Sequence, residues 1–118
     1  MQPFPYYEGK GNLYGGYMPA GKDVHPNNWS EIKVLFDNKK FSVIWGYFDV
    51  TEKYCLGIRY NGNADYIGYP NLGGNPVWFV IPDELTKMIL LDLYTKVAKK
   101  PSLGDELSIL QVLKECEK

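Results

Sequence analysis

The side chains best suited to bind a ligand are concentrated in residues 59–78. Arg59, the only arginine, lies near the end of an apolar strand pattern, and one residue separates it from an Asn-Gly turn. A guanidinium offers a planar fork for phosphate or carboxylate, aromatic rings stack on bases or sugars, and asparagine amides bond hydroxyl groups. The predicted ligand-binding residues are Arg59, Tyr60, Asn61, Asn75 and Trp78. This mixture suits a nucleotide, a nucleotide-derived signal or a sugar.

A structural role is the alternative for the same residues. Arginine is seldom fully buried without a partner, so a buried Arg59 would pair with one of the acids. Trp78 would then serve the hydrophobic core. The sequence leaves both interpretations open.

Residues typical of enzyme active sites are scarce. His25 is the only histidine and lies in a Pro/Gly-rich segment, where no second group is placed to orient it as a general base. The glycines over residues 9–16 lack the spacing and the Lys-Ser/Thr ending of a phosphate loop. Cys55 and Cys116 give neither a disulfide framework nor metal-ligand spacing. We therefore expect no catalytic activity, no cofactor and no metal.

Composition predicts one globular domain over residues 1–118. Hydrophobic content of 45% and charged content of 23% match folded proteins and do not match disordered ones. A net charge of -1 gives no general attraction to duplex nucleic acid or to an anionic membrane. The N-terminus has neither a basic leader nor an apolar run, so we expect a cytoplasmic protein without a membrane partner.

The elements that must position these residues follow an α+β pattern. Alternating and apolar runs predict an antiparallel β-sheet of about four or five strands, and helical spacing predicts two C-terminal α-helices. The sheet is expected within 32–81 and the helices within 82–117. The predicted strands are 32–36, 41–48, 54–60 and 77–81, with a possible short strand at 65–69, and the predicted helices are 82–99 and 103–117.

The predicted faces of two strands bear on the site. The strand over 41–48 is apolar on both faces and should be central in the sheet. In the next strand Arg59 shares a face with Cys55 and Gly57. Because these two neighbours are small, we expect open space beside the guanidinium. Ser102 is the predicted N-cap of the second helix.

Residues 1–28 are dense in glycine and proline and predict an extended arm. Its aromatic residues carry apolar area that gains by being covered. The arm either wraps its own domain, contributes to binding or crosses to another subunit. Together with the apolar area left over on both helices, it predicts a homo-oligomer. The aromatic residues of the arm are Phe4, Tyr6, Tyr7, Tyr14 and Tyr17.

Three runs of sequence resemble a group of small bacterial and mobile-element proteins. The runs are LGIRYNG at 56–62, GYP at 68–70 and NPVWFVIPDEL at 75–85. In that group an IRWNG-like strand end precedes a GFP or GYP step and a PxWFVxP segment, and Tyr60 stands where tryptophan is usual. This resemblance implies a fold and no particular activity.

The layout is also similar to that of phage-encoded sponges of nucleotide immune signals, such as the Thoeris anti-defence proteins. The shared features are size, a sheet followed by helices, and a combination of aromatic, Arg and Asn side chains. This similarity implies sequestration of a cyclic nucleotide immune signal.

The first functional hypothesis is thus a non-enzymatic, homo-oligomeric protein that sequesters a small nucleotide-like ligand. The alternative is a protein–protein inhibitor or adaptor that uses the same aromatic surface. An enzyme of unknown reaction is the third, and it would need His25 beside Cys55 or beside a carboxylate in a pocket.

Overall fold

The computed structural model describes residues 20–63 and 65–117. Most of the predicted arm, residues 1–19, lies outside the described residues. The remainder of it is described and contains a single 3-10 turn at Gly21–Asp23, followed by the first strand.

The described chain forms one sheet, one small hairpin and two helices. Four strands lie in the order β1-β2-β3-β6 with every neighbouring pair antiparallel, and the two helices follow. This architecture confirms the predicted α+β layout and the interior position of β2. In chain order the elements are β1 (Trp29–Asp37), β2 (Phe41–Phe48), β3 (Lys53–Tyr60), β4 (Asn71–Leu72), β5 (Asn75–Pro76), β6 (Phe79–Val80), α1 (Asp83–Lys99) and α2 (Glu106–Cys116).

The first strand begins earlier than predicted. The polar stretch before Ile32 predicts a turn, yet Trp29 pairs with Phe48 and continues the ladder. A register shift after Ser30 accommodates Glu31, whose φ of 53° is unusual for a residue other than glycine. This shift is a β-bulge, which places one unpaired residue in a strand without ending the strand.

The region between β3 and α1 contains less strand than predicted. Residues 65–69 form no strand, and only a single bridge joins Tyr69 to Tyr60. The predicted strand over 77–81 is reduced to the two residues of β6. The predicted loop before it folds into the β4–β5 hairpin, whose turn uses Gly73 and Gly74 at positive φ.

Both faces of the sheet are covered by apolar side chains. The helices pack on one face, where Val43 and Leu56 meet Leu90, Val97 and Ile109 in the main core cluster. The opposite face is covered by the segments before β1 and before β6. Its buried cluster consists of Val24, Trp29, Ile44, Cys55 and Trp78. As predicted, β2 is apolar on both faces, with Val43 on the helix-covered face and Ile44 on the other. In β3, Leu56 lies on the helix-covered face and Cys55 on the other.

The second helix starts later than predicted. Pro101–Leu103 form a 3-10 turn, and Gly104 pairs with Phe36 of β1. The N-cap is therefore Asp105, whose side chain accepts a hydrogen bond from the Ser108 amide, and the predicted cap at Ser102 is wrong. The sequence shows no sign of this bridge, because its partner lies far away along the chain.

Helix α1 crosses the sheet obliquely. It begins beside the start of β3, where Lys53 and Asp83 form an ion pair with a 2.5 Å N–O distance. It ends near β1, because Gly104 lies against both the Val97 side chain and the Leu35 carbonyl. The corner of the sheet formed by the end of β3 and by β6 is consequently left without a helix above it.

Candidate functional site

A hollow of about 370 Å³ lies at this uncovered corner. Its lining is mostly aromatic and apolar, and its volume falls in the lower part of the range typical of small-molecule sites. We call it the aromatic hollow. The described residues that line it are Phe41, Ile58, Arg59, Tyr60, Tyr69, Pro70 and Phe79.

The register of the sheet places the rings of the aromatic hollow on one face. Tyr60 lies directly opposite Phe41 on one side and opposite Tyr69 on the other, and Ile58 lies opposite Phe79. Directly opposed residues in an antiparallel pair point to the same face. Backbone pairing therefore positions the rings, and the ring of Phe41 lies 5.4 Å from that of Phe36 in the core.

Three of these rings are open to solvent. Tyr60 is 62% exposed, Tyr69 55% and Phe79 59%. Large aromatic side chains that stay exposed on a rigid framework are available for contact with a ligand or another protein.

Arg59 forms part of the floor of the aromatic hollow but is only 2% exposed. Its Nη1 donates hydrogen bonds of 2.9 Å to the carbonyls of Pro70 and Val77, and Nη2 donates one of 2.6 Å to the carbonyl of Ile67. The guanidinium therefore holds the loop between β3 and β6 against the sheet. In this structure the guanidinium therefore donates to the protein's own backbone carbonyls.

The space predicted beside Arg59 is filled. A side chain at Gly57 would come within 2.9 Å of Trp78 Cβ, so Trp78 occupies the room that the two small neighbours leave. The open space lies on the other face of β3, where Ile58 and Tyr60 point. The prediction of open space on the Cys55 face is wrong, because Trp78 and Ile44 pack against Gly57.

Trp78 lies in the core of the loop-covered face. It is 4% exposed, and its Nε1 donates a 3.1 Å hydrogen bond to the carbonyl of Val24. The indole thereby ties the segment before β1 to the segment before β6. In this conformation its ring is not presented to solvent.

Asn61 belongs to a polar network at the end of the sheet. Its Oδ1 accepts a 2.7 Å hydrogen bond from the Ser42 hydroxyl, and its Nδ2 donates one of 2.9 Å to Asp37. The backbone N–H of Asn61 also donates to the carbonyl of Lys40. The side chain thus joins the β1–β2 turn to the end of β3, and Asn61 is not among the described residues that line the aromatic hollow.

Asn75 lies apart from the other predicted residues. It lines a second, more polar hollow of about 570 Å³ together with His25 and other residues of the segment before β1. The structure therefore places Arg59 and Tyr60 together at the aromatic hollow and places Asn75 at the second hollow. Whether any of the five contacts a ligand stays a prediction.

Sequence reasoning missed Phe41, Tyr69 and Phe79 as parts of the site. Phe41 could have been found, because a tight turn between two strands of eight residues sets Phe41 opposite Tyr60. Tyr69 could not, since its pairing follows an irregular loop. Phe79 follows Trp78 directly, and the pattern of a two-residue strand does not show which of the two rings faces outward.

The residues considered for catalysis hold structural positions. The Nε2 atom of His25 lies 2.8 Å from the carbonyl of Lys22. Burial raises the pKa of Cys55, which keeps this side chain a thiol and a poor nucleophile at neutral pH. Among the described residues no three His, Cys, Asp or Glu side chains converge in a way that would hold a metal ion.

No helix in the described part of the chain combines the length and the apolar character needed to cross a membrane.

Comparisons with known proteins do not assign the chain to a family. No protein family matches the chain, and neither the curated proteins nor the solved structures gave a significant match.

Proposed function

We propose that the chain is a non-enzymatic binding protein that takes the planar ring of a small nucleotide-like ligand into the aromatic hollow. The observation that supports this proposal is the alignment of Phe41, Tyr60, Tyr69 and Phe79 around one cavity by sheet register. Stacking of a base on an aromatic side chain contributes about 1–3 kcal/mol and tolerates different bases.

Charge near the aromatic hollow favours an anionic ligand. Lys39 and Lys40 lie in the β1–β2 turn immediately before Phe41 and are exposed. Phosphate groups of a ligand whose base occupies the hollow would extend toward solvent at this rim, where mobile ammonium groups can reach them. The buried guanidinium of Arg59 adds positive charge next to the hollow, because it donates to the carbonyl of Pro70, a lining residue.

Arg59 has a positioning role in this proposal. Its bonds to Pro70 and Val77 fix the backbone from which the walls of the hollow rise. A site held in place before binding loses less ordering entropy when the ligand arrives. The predicted direct contact between Arg59 and an anionic group would require the loop carbonyls to release the guanidinium.

Titration calorimetry with cyclic dinucleotides, cyclic trinucleotides and cyclic ADP-ribose isomers tests this proposal. For a ligand that binds, Tyr69→Ser should weaken affinity about 5- to 150-fold, which corresponds to the loss of one stacking partner. Tyr69→Phe should bind nearly as well as the original chain. Leu107→Ser is the matched control, because Leu107 is 79% exposed on α2 and does not line the hollow.

The proposal fails if none of these nucleotides binds, or if Tyr69→Ser and Leu107→Ser bind equally well. Sequestration in phage anti-defence is the biological setting that we propose, and it requires a cyclic nucleotide among the ligands that bind.

A protein partner is the alternative occupant of the same surface. Tyrosine is enriched among the residues that dominate binding energy at protein interfaces, and Tyr60 and Tyr69 are both more than half exposed. An inhibitor or adaptor would retain a host protein during purification and show no stabilisation by nucleotides. Tyr69→Ser should then release that protein.

Self-association is part of the proposal. Met88 and Leu91 are each at least half exposed on the outer side of α1. Such apolar side chains are typical of surfaces that become covered in an oligomer. Native mass spectrometry measures the subunit count and any retained small molecule together.

A further inference from the structure

We propose that the second hollow binds a neutral polyhydroxylated ligand, such as a sugar ring, independently of the aromatic hollow. We call it the amide hollow. It lies between the segment before β1 and the β4–β5 hairpin. The described residues that line it are His25, Pro26, Asn27, Asn28, Leu72, Asn75, Pro76 and Val77.

Asparagines elsewhere in the described chain use their side-chain amides on the fold. Asn38 accepts two backbone N–H groups at 2.9 Å, and Asn63 accepts two at 2.7 and 3.0 Å. Asn71 bonds the backbone of Gly68 and Gly74, both at 3.3 Å. With Asn61 in its polar network, these four amides hold turns and loop ends.

The three asparagines of the amide hollow differ from these four. The side chains of Asn27, Asn28 and Asn75 make no hydrogen bond with another described residue. Each carboxamide offers two N–H donors and one carbonyl acceptor. Three uncommitted amides around one cavity match ligand hydroxyl groups, which both donate and accept.

His25 adds an oriented acceptor to this set. A backbone carbonyl can only accept, so the Nε2 atom that lies 2.8 Å from the Lys22 carbonyl must carry the proton. In the neutral imidazole the Nδ1 atom is then an acceptor. The ring therefore presents an acceptor where the amides are mainly donors.

The lining favours a ligand without charge. The described residues around the amide hollow include no Asp, Glu, Lys or Arg. A charged ligand would lose hydration here without gaining an opposite charge, which is unfavourable. Leu72, Pro26 and Pro76 offer apolar surface for the C–H face of a sugar ring, and Leu72 is 70% exposed.

Both walls of the amide hollow are tied to the core. Val24, immediately before His25, is fully buried, and its carbonyl accepts from the Trp78 indole. On the other wall, the Val77 carbonyl accepts from Arg59 and the Val77 amide donates to Pro70 at 3.1 Å. A weakly polar site gains most from such fixed walls, because little ordering entropy remains to be lost.

The experiment is an NMR titration of the full chain with glucose, galactose, N-acetylglucosamine and ribose, with glucuronate as the charged counterpart of glucose. We expect the side-chain amide signals of Asn27, Asn28 and Asn75 to shift with at least one neutral sugar, and to shift less with glucuronate. Asn75→Ala should weaken that binding about tenfold, the effect of one or two lost hydrogen bonds.

Two controls separate this site from the aromatic hollow and from misfolding. Asn63→Ala removes two turn hydrogen bonds outside the amide hollow, so it should lower the urea midpoint and leave sugar affinity unchanged. Tyr69→Ser should also leave sugar affinity unchanged, although it weakens nucleotide binding. Each variant is checked by its urea midpoint. The proposal is overturned if no neutral sugar shifts these amide signals, or if Asn75→Ala binds as tightly as the original chain.

Discussion

The guanidinium of Arg59 lies against the backbone of Gly68, where a side chain would overlap Nη2. The same position would also overlap the carbonyl of Tyr60, and Gly68 has a φ of +93°. Glycine is thus required there twice, for its conformation and for its lack of volume. The close approach lets the Ile67 carbonyl, one residue before, accept from Arg59.

Gly68→Ala should therefore destabilise the fold more than an alanine at another glycine with positive φ. Gly73 is the matched control, because its φ is +59° and nothing lies within 4 Å of an added Cβ. Gly73→Ala should cost about 1–2 kcal/mol from backbone conformation alone. Gly68→Ala adds the overlap with Arg59 and should exceed that value in urea unfolding. Equal losses in the two variants would contradict the proposed crowding.

Substitution of Arg59 should reduce stability sharply. Three backbone carbonyls lose their donors in Arg59→Met, and each buried group left unsatisfied costs about 1–3 kcal/mol. Arg59→Lys should recover only part of the loss, because one ammonium on a flexible stem cannot reproduce the geometry of the fork. Denaturant unfolding gives both values, and an unchanged midpoint for Arg59→Met would refute this structural role.

Lys39→Gly should stabilise the chain. Lys39 has a φ of +78° in the turn between β1 and β2, which is unfavourable for any residue with a side chain. Glycine relieves this cost but loses more entropy on folding, so the net gain should be about 0.5–1 kcal/mol. Lys40→Gly is the control. It should destabilise the chain or leave its stability unchanged, since Lys40 does not have positive φ. A gain in Lys40→Gly and none in Lys39→Gly would be inconsistent with this structure.

The cap of α2 should give a defined pH dependence. Hydrogen bonds from Ser108 hold the pKa of Asp105 below its usual value of 3.8. A carboxyl with a lowered folded pKa stabilises the fold above its unfolded pKa, and this contribution is lost as pH falls through the folded pKa. Asp105→Asn keeps a capping oxygen without a titrating group. The stability difference between the two chains should stay constant at neutral pH and shift in favour of Asp105→Asn below about pH 5. A flat difference down to pH 2 would contradict the assignment.

The two cysteines should differ in reactivity. Cys55 is buried and Cys116 is exposed on the last turn of α2. Burial raises the pKa of Cys55, and partial desolvation together with the nearby charge of Glu115 raises the pKa of Cys116, but only Cys116 is accessible to a reagent. A thiol assay on the folded chain should titrate Cys116 quickly and Cys55 only after denaturation. Rapid labelling of Cys55 in the native chain would show that the loop-covered face opens readily.

Much of the fold follows from local pattern. The bounds of β2 match the prediction, and β3 and α1 differ from it by about two residues or fewer at each end, within the usual uncertainty of such boundaries. These elements have strong alternation or helical spacing over many residues. The predicted cap of α2 at Ser102 is wrong, because the bridge between Gly104 and Phe36 is a long-range contact that leaves no local signal.

The site was predictable only in part. Arg59 and Tyr60 were located from their types and spacing, and both line the aromatic hollow. The burial of Arg59 is not predictable, since its acceptors Ile67, Pro70 and Val77 lie 8 to 18 residues away, outside any strand and on both sides of the β4–β5 hairpin. The same segment turns Trp78 inward and Phe79 outward, and Gly57 leaves the room that Trp78 occupies.

Because α1 crosses the sheet obliquely, the residues of the main core cluster lie under the helices, and the exposed residues of the aromatic hollow lie at the corner that the helices do not cover. Tyr60, Tyr69 and Phe79 stand where no helix rests, so their side chains can be exchanged while the packed layers beneath them persist. The corner can therefore be diversified: a library randomised at these three positions should yield folded variants with new ligand preferences, using this small chain as a scaffold for selection.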